Sequence, residues 1–290
     1  MNALNDEYQQ WIGRTESKVD FIASKGPNSL AATLDREKLE CNKGDALPPL
    51  WHWIFFLEMA PHRALSSDGH PRKGGFLPPI ELPRRMWAGS RLTFHKPLQI
   101  GDQASKTSTI KSIQFKEGRS GSLAFVCVNH EISDSAGLSI SEEQDIVYRD
   151  NPPLPTGKPQ AMPAPAPAPA PAQNDYALSV NPDPVLLFRY SALTLNSHRI
   201  HYDRDYATQV EGYPGLIVHG PLLATYLLEL VARQYPTKEV RSFEFKAVSP
   251  VFDGADFTVC GLAPDDDGKC ELWIKNEADE LCVRGLAVVA

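Results

Sequence analysis

The sequence predicts an α+β fold built from two similar units, each with an antiparallel sheet packed around a buried helix. Residues 48–60 and 214–233 are both apolar on nearly every side and both begin with proline, a pattern typical of buried helices. Each segment is followed by stretches of alternating polar and apolar residues that indicate strands. This internal repeat favours two copies of one unit over a single large fold.

The first unit begins with residues 6–23, in which the spacing of apolar residues predicts an amphipathic helix. After the buried segment at 48–60, a loop rich in glycine and proline spans residues 66–79. Four strands then follow, with turn-forming residues between them. They are expected at residues 90–95, 107–113, 123–132 and 139–147.

A proline-rich segment, residues 152–172, separates the two units. Because proline is excluded from central strands and helix interiors, we expect an extended spacer here, which is a simpler interpretation than a docking site for a proline-binding partner. The predicted domains are residues 1–151, a linker at 152–175 and a second unit at 176–290. In the second unit, strands are expected at residues 241–248, 256–262, 270–275 and 281–289.

Composition limits the partners and the compartment of the protein. A formal net charge of −7 argues against nucleic acid as a partner, since phosphate binding needs a basic surface. No apolar run of about 18 residues is present to span a membrane, and the N-terminus has no export signal. The five cysteines have no CxxC spacing, which disfavours a disulfide framework and a zinc knuckle. A cytoplasmic protein with reduced thiols is the simplest expectation.

The densest group of polar, titratable residues lies directly before the second buried helix. His198, His201 and His219 fall within 22 positions of the sequence, and histidine changes its charge near neutral pH. Such groups beside an apolar element are what a binding or catalytic site needs. No comparable cluster precedes residues 48–60. The second unit is therefore predicted to be catalytic, the first to be structural or binding, and the chain to have one active site.

The same stretch resembles the signature of the MaoC-type (R)-specific enoyl-thioester hydratases. Residues 196–203, NSHRIHYD, match the spacing of Asp-x-Asn-Pro-Leu-His-x-Asp, and His219 with Gly220 matches the His-Gly that opens the central helix. Apart from the proline-rich segment, the whole chain, including RRMWAGSR at 84–91, resembles the type-2 3-hydroxyacyl-thioester dehydratases and the mesaconyl-C4-CoA and itaconyl-CoA hydratases. The resemblance implies a double hot dog fold, in which each unit wraps a long central helix in an antiparallel sheet.

The resemblance also implies the chemistry, which is the syn addition of water across the double bond of an enoyl thioester, without a metal or redox cofactor. His201 takes the place of the family's catalytic histidine, and Gly220 that of the glycine whose backbone N–H binds the enolate oxygen. A helix N-terminus suits that role because its unpaired N–H groups favour negative charge. Asn196 stands where the family has aspartate, and His198 where it has asparagine. His201 alone, or His201 with His198, is therefore expected to transfer the protons.

The asparagine at position 196 suggests a substrate with a second carboxylate. A neutral Asn196 avoids repulsion with such a group in a dry pocket, and Arg84, Arg85 or Arg199 would supply its counter-charge. The resemblance implies an acyl-CoA substrate of the C5 dicarboxylyl class, mesaconyl-C4-CoA or itaconyl-CoA, with citramalyl-CoA as the product, and the asparagine at position 196 supports this expectation. His219 is grouped with these substrate-binding residues, although hydrogen bonds beside the helix start are a simpler role for it.

Other functions remain open from the sequence. A 3-hydroxyacyl-thioester dehydratase of fatty-acid metabolism, acting on CoA or acyl-carrier-protein thioesters, would need a long apolar tunnel with no arginine at its end. A non-catalytic acyl-thioester-binding module or a hot dog thioesterase would share the fold. His198 and His201, three positions apart, lack a third metal ligand in register, so no metal site is expected. The two units can pair within one chain, so either a monomer or a homodimer is expected.

Overall fold

The computed structural model of the protein describes residues 7–36, 39–118, 121–150 and 168–290. Within these ranges, ten strands form one antiparallel sheet. The first unit contributes β1 (Thr15–Phe21), β2 (Arg84–Phe94), β3 (Gln103–Gly118), β4 (Gly121–Asp134) and β5 (Gly137–Arg149). The second contributes β6 (Tyr176–Val180), β7 (Val240–Ala247), β8 (Phe257–Gly261), β9 (Lys269–Lys275) and β10 (Leu281–Val289). Every strand that the sequence predicts is present, although several extend beyond the expected bounds.

The strand order shows that the two units share one topology. The sheet runs β1-β3-β4-β5-β2-β7-β10-β9-β8-β6, so in each unit the first strand lies at the outer edge and the second at the centre. The units join where β2 pairs with β7, from Gly89 opposite Lys246 to Thr93 opposite Ser242. Glycine is required at position 89, because a Cβ there would lie 2.4 Å from the carbonyl oxygen of Phe245. The predicted internal repeat is confirmed.

The helices of the described residues are α1 (Lys25–Thr33), α2 (Pro184–Thr194) and α3 (Gly220–Gln234). Helix α3 is the buried helix expected within 214–233, and its residues 222–231 are all buried. Residues 214–219 form a loop instead, in which the Val218 N–H donates to the carbonyl oxygen of Val251 (2.9 Å). This loop brings the first residue of α3 close to the carbonyl oxygen of Trp87 in β2. The N-terminus of the central helix therefore faces the joint between the units.

The helix predicted at residues 6–23 is wrong. Residues 15–21 form β1, whose side chains alternate between exposed and half-buried positions. Its Ser17 hydroxyl hydrogen-bonds to the hydroxyl of Thr107 in β3 (3.0 Å). In a segment this short, the apolar residues fit the spacing of a helix as well as that of a strand. Pairing with β3 decides in favour of the strand.

The first predicted buried helix, residues 48–60, is also wrong as a helix, although much of it is buried. It contains one short turn, Trp51–Ile54. Leu50 and Phe56, on either side, have φ angles of 69° and 56°, which interrupt a right-handed helix. Trp51 and Phe56 pack in the same core as α3. An all-round apolar composition indicates burial, but it does not distinguish a helix from an irregular buried segment.

Most of the predicted linker, residues 152–167, lies outside the described residues, so the domain boundaries stay a prediction. The last part of it packs on the second unit. Leu281 donates its N–H to the carbonyl oxygen of Ala168, and Ala170 donates to that of Asp279, both at 2.9 Å. In the described part of the chain, every helix is too short or too polar to cross a membrane.

Candidate active site

His201 lies at the end of a short turn, Arg199–His201, with its side chain buried. Its Nδ1 is 2.7 Å from the carbonyl oxygen of Ile217. Because a carbonyl oxygen only accepts, Nδ1 carries the proton, and Nε2 keeps its lone pair. Burial lowers the pKa of His201 to about 4, and the hydrogen bond to Ile217 opposes this only in part. His201 is therefore a neutral base at physiological pH, with a fixed tautomer.

His219 immediately precedes α3 and lies beneath His201. The two rings are stacked with their centroids 3.8 Å apart, and His219 Nε2 is 2.8 Å from the Ser191 hydroxyl. Its Nδ1 is buried and has no hydrogen-bond partner among the described residues. Burial and the neighbouring histidines, His201 and His198, lower the pKa of His219 well below its ordinary value. Its position fits a support for His201 better than direct contact with a substrate.

Asn196 and His198 follow the C-terminus of α2. The Asn196 side-chain oxygen accepts the backbone N–H of His198 (3.0 Å), which closes an Asx turn. The His198 ring lies perpendicular to that of His201, with a centroid distance of 5.4 Å. Burial lowers the pKa of His198, and the charges of His70 and His201 lower it further. The structure therefore brings Asn196, His198 and His201 together, as the motif predicts.

Gly220 is the first residue of α3. A Cβ added there would meet no atom closer than the Trp87 carbonyl oxygen, at 3.7 Å, which is an ordinary contact. Steric crowding at the start of the helix therefore does not require glycine at this position. A bare backbone at a helix N-terminus suits close approach of an anionic oxygen, and the role predicted for the Gly220 N–H stays a prediction.

Two of the three predicted substrate-binding arginines are engaged in contacts within the protein. Arg84 is 3.0 Å from the Glu211 carboxylate and donates to the Tyr213 hydroxyl (2.8 Å), which ties β2 to the second unit. Arg199 donates two hydrogen bonds to Asp203, at 2.8 and 3.0 Å. These contacts hold the loop around the histidines and leave each guanidinium less able to bind a substrate.

Arg85 has a different environment. It lines a cavity of about 290 Å³ in the first unit, and its charge acts on the nearby His198. Trp87, whose carbonyl oxygen faces Gly220, lines the same cavity. Besides Arg85, four cationic residues line it (Lys18, Arg72, Lys73 and Lys106), together with three carboxylates (Glu16, Glu58 and Glu142). A polar cavity with several cations therefore borders the histidine cluster.

The sequence did not identify a loop of the first unit that reaches the cluster. Arg199 donates its backbone N–H to the carbonyl oxygen of Asp68 (2.9 Å), and the Ser197 hydroxyl donates to that of Gly69 (2.6 Å). Gly69 has a φ of +92°, and a Cβ there would lie 1.8 Å from the Ser197 carbonyl oxygen. Only glycine permits so close an approach.

This loop adds a carboxylate and a fourth histidine to the site. Asp68 and His70 are hydrogen-bonded (3.0 Å), and the His70 ring lies 4.0 Å from that of His198. The histidine cluster, which the sequence analysis described from the second unit alone, therefore also includes residues of the first unit. The Asp-Gly-His sequence within a glycine-rich loop was the available signal, but a contact across 128 positions is not visible in one sequence.

One group of potential metal ligands occurs among the described residues. It consists of Asp68, His70 and His198, whose ligand atoms lie within 4.8 Å of one another. Two histidines and one carboxylate are a donor set that binds zinc or iron in other proteins. Of the pair considered from the sequence, His198 belongs to this group and His201 does not.

Comparisons with known proteins agree with this fold. The model of the hydroxyacyl-thioester dehydratase type 2 family matches residues 50–253. A mesaconyl-C(4)-CoA hydratase of Chloroflexus aurantiacus is 50% identical over 252 residues, which are 87% of this chain and 87% of its own. A mitochondrial hydroxyacyl-thioester dehydratase type 2 of Schizosaccharomyces pombe is 31% identical over 271 residues, covering 83% of this chain and 88% of its own.

The fold is shared with a solved Mycobacterium tuberculosis protein described as having a double hotdog fold. The two structures have a TM-score of 0.59 and 17% identity, and the match covers 96% of each chain. The predicted double hot dog architecture is thus confirmed, and the protein is an enzyme of the hydro-lyase class. More specifically, the chain belongs to the hydroxyacyl-thioester dehydratase type 2 family.

Proposed function

We propose that the protein hydrates the double bond of a C5 dicarboxylyl-CoA, mesaconyl-C4-CoA or itaconyl-CoA, to give citramalyl-CoA. The observation that carries the proposal is the neutral, buried His201 fixed beside the N-terminus of α3. The similarity to the Chloroflexus aurantiacus hydratase supports the choice of substrate.

The proposed reaction uses His201 and the N-terminus of α3. His201 Nε2 takes a proton from a water molecule, and the oxygen of that water attacks the β-carbon of the enoyl thioester. The electrons of the double bond move towards the thioester oxygen, which becomes enolate-like. The N-terminus of α3 at Gly220 favours this developing negative charge. Transfer of the proton on His201 Nε2 to the α-carbon then completes the addition of one water molecule and restores the neutral histidine.

Arg85 is the best candidate to bind the free carboxylate of the substrate. Unlike Arg84 and Arg199, it forms no ion pair with any other described residue. It lines the cationic cavity beside the histidines, and a guanidinium can bind a carboxylate through two parallel hydrogen bonds. Binding by Arg85 would direct the second charge of the substrate towards the first unit.

Replacing Arg85 by Met should weaken the reaction of the dicarboxylyl substrate alone. Loss of a charged hydrogen bond corresponds to about a 10- to 100-fold decrease in kcat/KM for mesaconyl-C4-CoA. Crotonyl-CoA, which has no second carboxylate, is the matched control and should react as with the wild-type enzyme. An equal decrease for both substrates would exclude Arg85 as the carboxylate-binding residue.

Replacing Asn196 by Asp tests the hypothesis of charge repulsion. An aspartate can still accept the His198 backbone N–H, so the turn is retained. The added charge should decrease kcat/KM for mesaconyl-C4-CoA about tenfold or more, with a smaller change for crotonyl-CoA. Steady-state kinetics on both substrates give the comparison. An increase for the dicarboxylyl substrate would show that repulsion does not explain Asn196.

The second candidate is dehydration or hydration of a 3-hydroxyacyl or enoyl thioester with a straight chain, favoured by the family match and the Schizosaccharomyces pombe relative. The cations that line the cavity outnumber its three carboxylates, which favours a carboxylated acyl group instead. A panel of enoyl-CoA thioesters, with and without a β-carboxylate and of increasing chain length, separates the two. Hydration is followed by the loss of absorbance of the conjugated thioester, and free thiol is measured alongside. Release of CoA would indicate a thioesterase, and binding without reaction would indicate a non-catalytic module.

A further inference from the structure

The strands at the junction of the two units, β2 and β7, correspond residue by residue. Each has a bulge in its pairing with the neighbouring strand of its own unit. In β2 the bulge lies between Trp87 and Gly89, opposite β5, and in β7 it lies between Val240 and Ser242, opposite β10. A bulge is a specific irregularity of a strand, so it fixes the alignment. Val240 is therefore the equivalent of Trp87.

The segments that lead into the two buried stretches also correspond. The Val218 N–H donates to the carbonyl oxygen of Val251 (2.9 Å), and the Leu47 N–H donates to that of Leu98 (2.7 Å). In both units this bond joins the segment to the turn that follows the junction strand. A single β-bridge lies one position earlier in each unit: Ile217 with Phe252, and Ala46 with Gln99. Leu47 is therefore the equivalent of Val218.

This correspondence gives the active site a counterpart at the other end of the junction. Pro48 and Pro49 take the places of His219 and Gly220. Proline has no N–H to donate, so the counterpart position cannot stabilise an enolate oxygen in the way proposed for Gly220. Proline also replaces the histidine that supports the base. The counterpart of the active site therefore lacks the groups that hydration needs.

A cavity of about 310 Å³ lies at this position, and Pro48, Pro49 and Val240 line it. We call it the counterpart cavity. In the same way Trp87, whose carbonyl oxygen faces Gly220, lines the cavity of about 290 Å³ beside the histidines. The two cavities are thus formed by equivalent elements, with the roles of the units exchanged.

Residues further along the buried stretches support the match. Leu57 and Glu58 line the cavity beside the histidines. Leu228 and Glu229, which follow Val218 at the same spacing as Leu57 and Glu58 follow their own equivalent residue, line the counterpart cavity. The correspondence therefore extends from the strands at the junction to the depth of both cavities.

Lys238 gives the counterpart cavity an unpaired cation. It lines the cavity and takes the place of Arg85, two positions before the bulge. Like Arg85, it forms no ion pair with any other described residue. The remaining lining cations are paired with carboxylates: Arg36 with Glu229, Lys96 with Asp134 and Arg241 with Glu239. A carboxylate that enters the cavity therefore meets one uncompensated positive charge.

Much of the remaining wall is apolar. It includes Leu47, Trp51, Phe94 and Leu98 of the first unit and Leu228 and Val231 of the second. Sites for small molecules typically combine an apolar wall with a few polar groups, in volumes from about 300 Å³ upwards. The counterpart cavity therefore suits a short acyl chain that ends in a carboxylate.

We propose that the counterpart cavity is a second binding site for a dicarboxylyl-CoA thioester, which is held there without being hydrated. Lys238 pairs with the free carboxylate, and the apolar wall contacts the acyl chain. The proposal rests on the proposed function, because it takes the class of ligand from there. Helix α3 has its N-terminus at the active site and its C-terminal half at the counterpart cavity, so one helix borders both sites.

The test is isothermal titration calorimetry of the full chain with glutaryl-CoA, a saturated C5 dicarboxylyl thioester that cannot be hydrated. Wild-type protein should bind two molecules per chain. Ala232 of α3 lines the counterpart cavity, so Ala232→Trp should fill it and leave one molecule per chain. Ala232 lies about 18 Å from Gly220 along the helix. Its substitution should therefore keep kcat for mesaconyl-C4-CoA within about twofold of wild type.

Two charge substitutions assign the two binding events to their sites. Lys238→Gln should weaken one event about 10-fold or more, and Arg85→Met should weaken the other. Pentanoyl-CoA, which has no free carboxylate, should bind to Lys238→Gln as it does to wild type. Lys246→Gln is the matched control, because Lys246 is exposed and lines neither cavity. Lys238 is also exposed, so this comparison decides even if thermal unfolding shows that Ala232→Trp is misfolded.

Two results would overturn the proposal and leave the proposed function intact. One is a wild-type enzyme that hydrates mesaconyl-C4-CoA but binds a single glutaryl-CoA per chain. The other is binding of two molecules that neither Ala232→Trp nor Lys238→Gln alters, because the second site would then lie elsewhere. A wild-type protein that hydrates no enoyl-CoA but binds two molecules, one of them weakened by Lys238→Gln, would refute the proposed function and support the second site.

Discussion

Replacing His201 by Asn should decrease kcat for hydration by about 10²- to 10⁴-fold, the contribution expected of a positioned general base. The asparagine amide nitrogen can take over the hydrogen bond to the Ile217 carbonyl oxygen, now made by Nδ1 at 2.7 Å. What the substitution removes is Nε2, the nitrogen that keeps a lone pair. The loop and the core beneath it should therefore remain folded while the base is lost.

The measurement is steady-state hydration of the preferred enoyl-CoA, together with thermal unfolding of both proteins. His95 provides a matched control, since it is exposed and its Nε2 contacts only the Ser141 hydroxyl among the described residues (2.9 Å). His95→Asn should leave kcat unchanged. A His201→Asn enzyme with nearly normal kcat would remove His201 from the chemistry, and equal loss in both variants would point to an effect on the fold.

The low pKa of His201 also sets an expectation for stability. Its folded-state pKa of about 4 lies below the ordinary value of 6.5. The unfolded chain therefore binds a proton more readily than the folded protein between these values. Stability from this group is fully present above about pH 6.5 and falls as the pH decreases towards 4. His198 and His219 have pKa values shifted in the same direction, so mild acid should loosen the site first.

How well the sequence predicted the fold depended on the kind of segment. Strand β4 alternates between buried and half-buried residues over much of its length, which is the pattern of a strand, and the prediction there is correct. Helix α3 is buried along most of its length. Its apolar composition alone does not distinguish a helix from an irregular buried segment, so the length of the apolar stretch was the signal that favoured a helix. Residues 48–60 have the same composition, but positive φ angles at Leu50 and Phe56 break the segment. Those angles depend on how the first unit packs, and no local pattern contains them.

In the site, too, the residues that lie close together in the sequence were predicted, and those that come from the other unit were not. Asn196, His198 and His201 lie in one short motif, so their proximity follows from their spacing. His219 is brought beneath His201 by the loop before α3, which the motif also implied. Asp68 and His70 come from another unit, and their position depends on Gly69 fitting against Ser197. A single sequence contains no sign of that fit, because each of the two loops is unremarkable alone.

The first unit has its own buried charge, Glu142, whose removal should be costly. Its side chain is 3% exposed. One oxygen accepts the Ser90 hydroxyl (2.7 Å), and the other accepts the Trp53 indole N–H (3.0 Å) and lies 3.4 Å from His52 Nε2. Burial alone would raise the pKa of Glu142, but the hydrogen bond from His52 and the charges of His130 and His52 lower it to about 2.

Glu142→Ala should lower the free energy of unfolding by about 3–5 kcal/mol at pH 7, because it leaves buried donors without their acceptor. Glu143, the next residue of the strand, is the matched control. It is 31% exposed and pairs with Arg91 at the surface, so Glu143→Ala should cost only about 0–1 kcal/mol. Urea unfolding of the two variants and the wild type measures the difference directly. Similar costs for both would mean that Glu142 is not held by its buried partners.

The pH dependence of the same measurement separates charge from packing at Glu142. A carboxyl group whose pKa is lower in the folded state stabilises the protein above its unfolded value of 4.5, and this contribution is lost as the pH falls towards 2. The difference in unfolding free energy between wild type and Glu142→Ala should therefore be largest above about pH 5 and shrink in acid. This window lies below that of the histidines. A wild-type protein that first loses activity as the pH falls towards 4 and then unfolds near pH 3 would fit two separate titrations, one in the site and one in the core of the first unit.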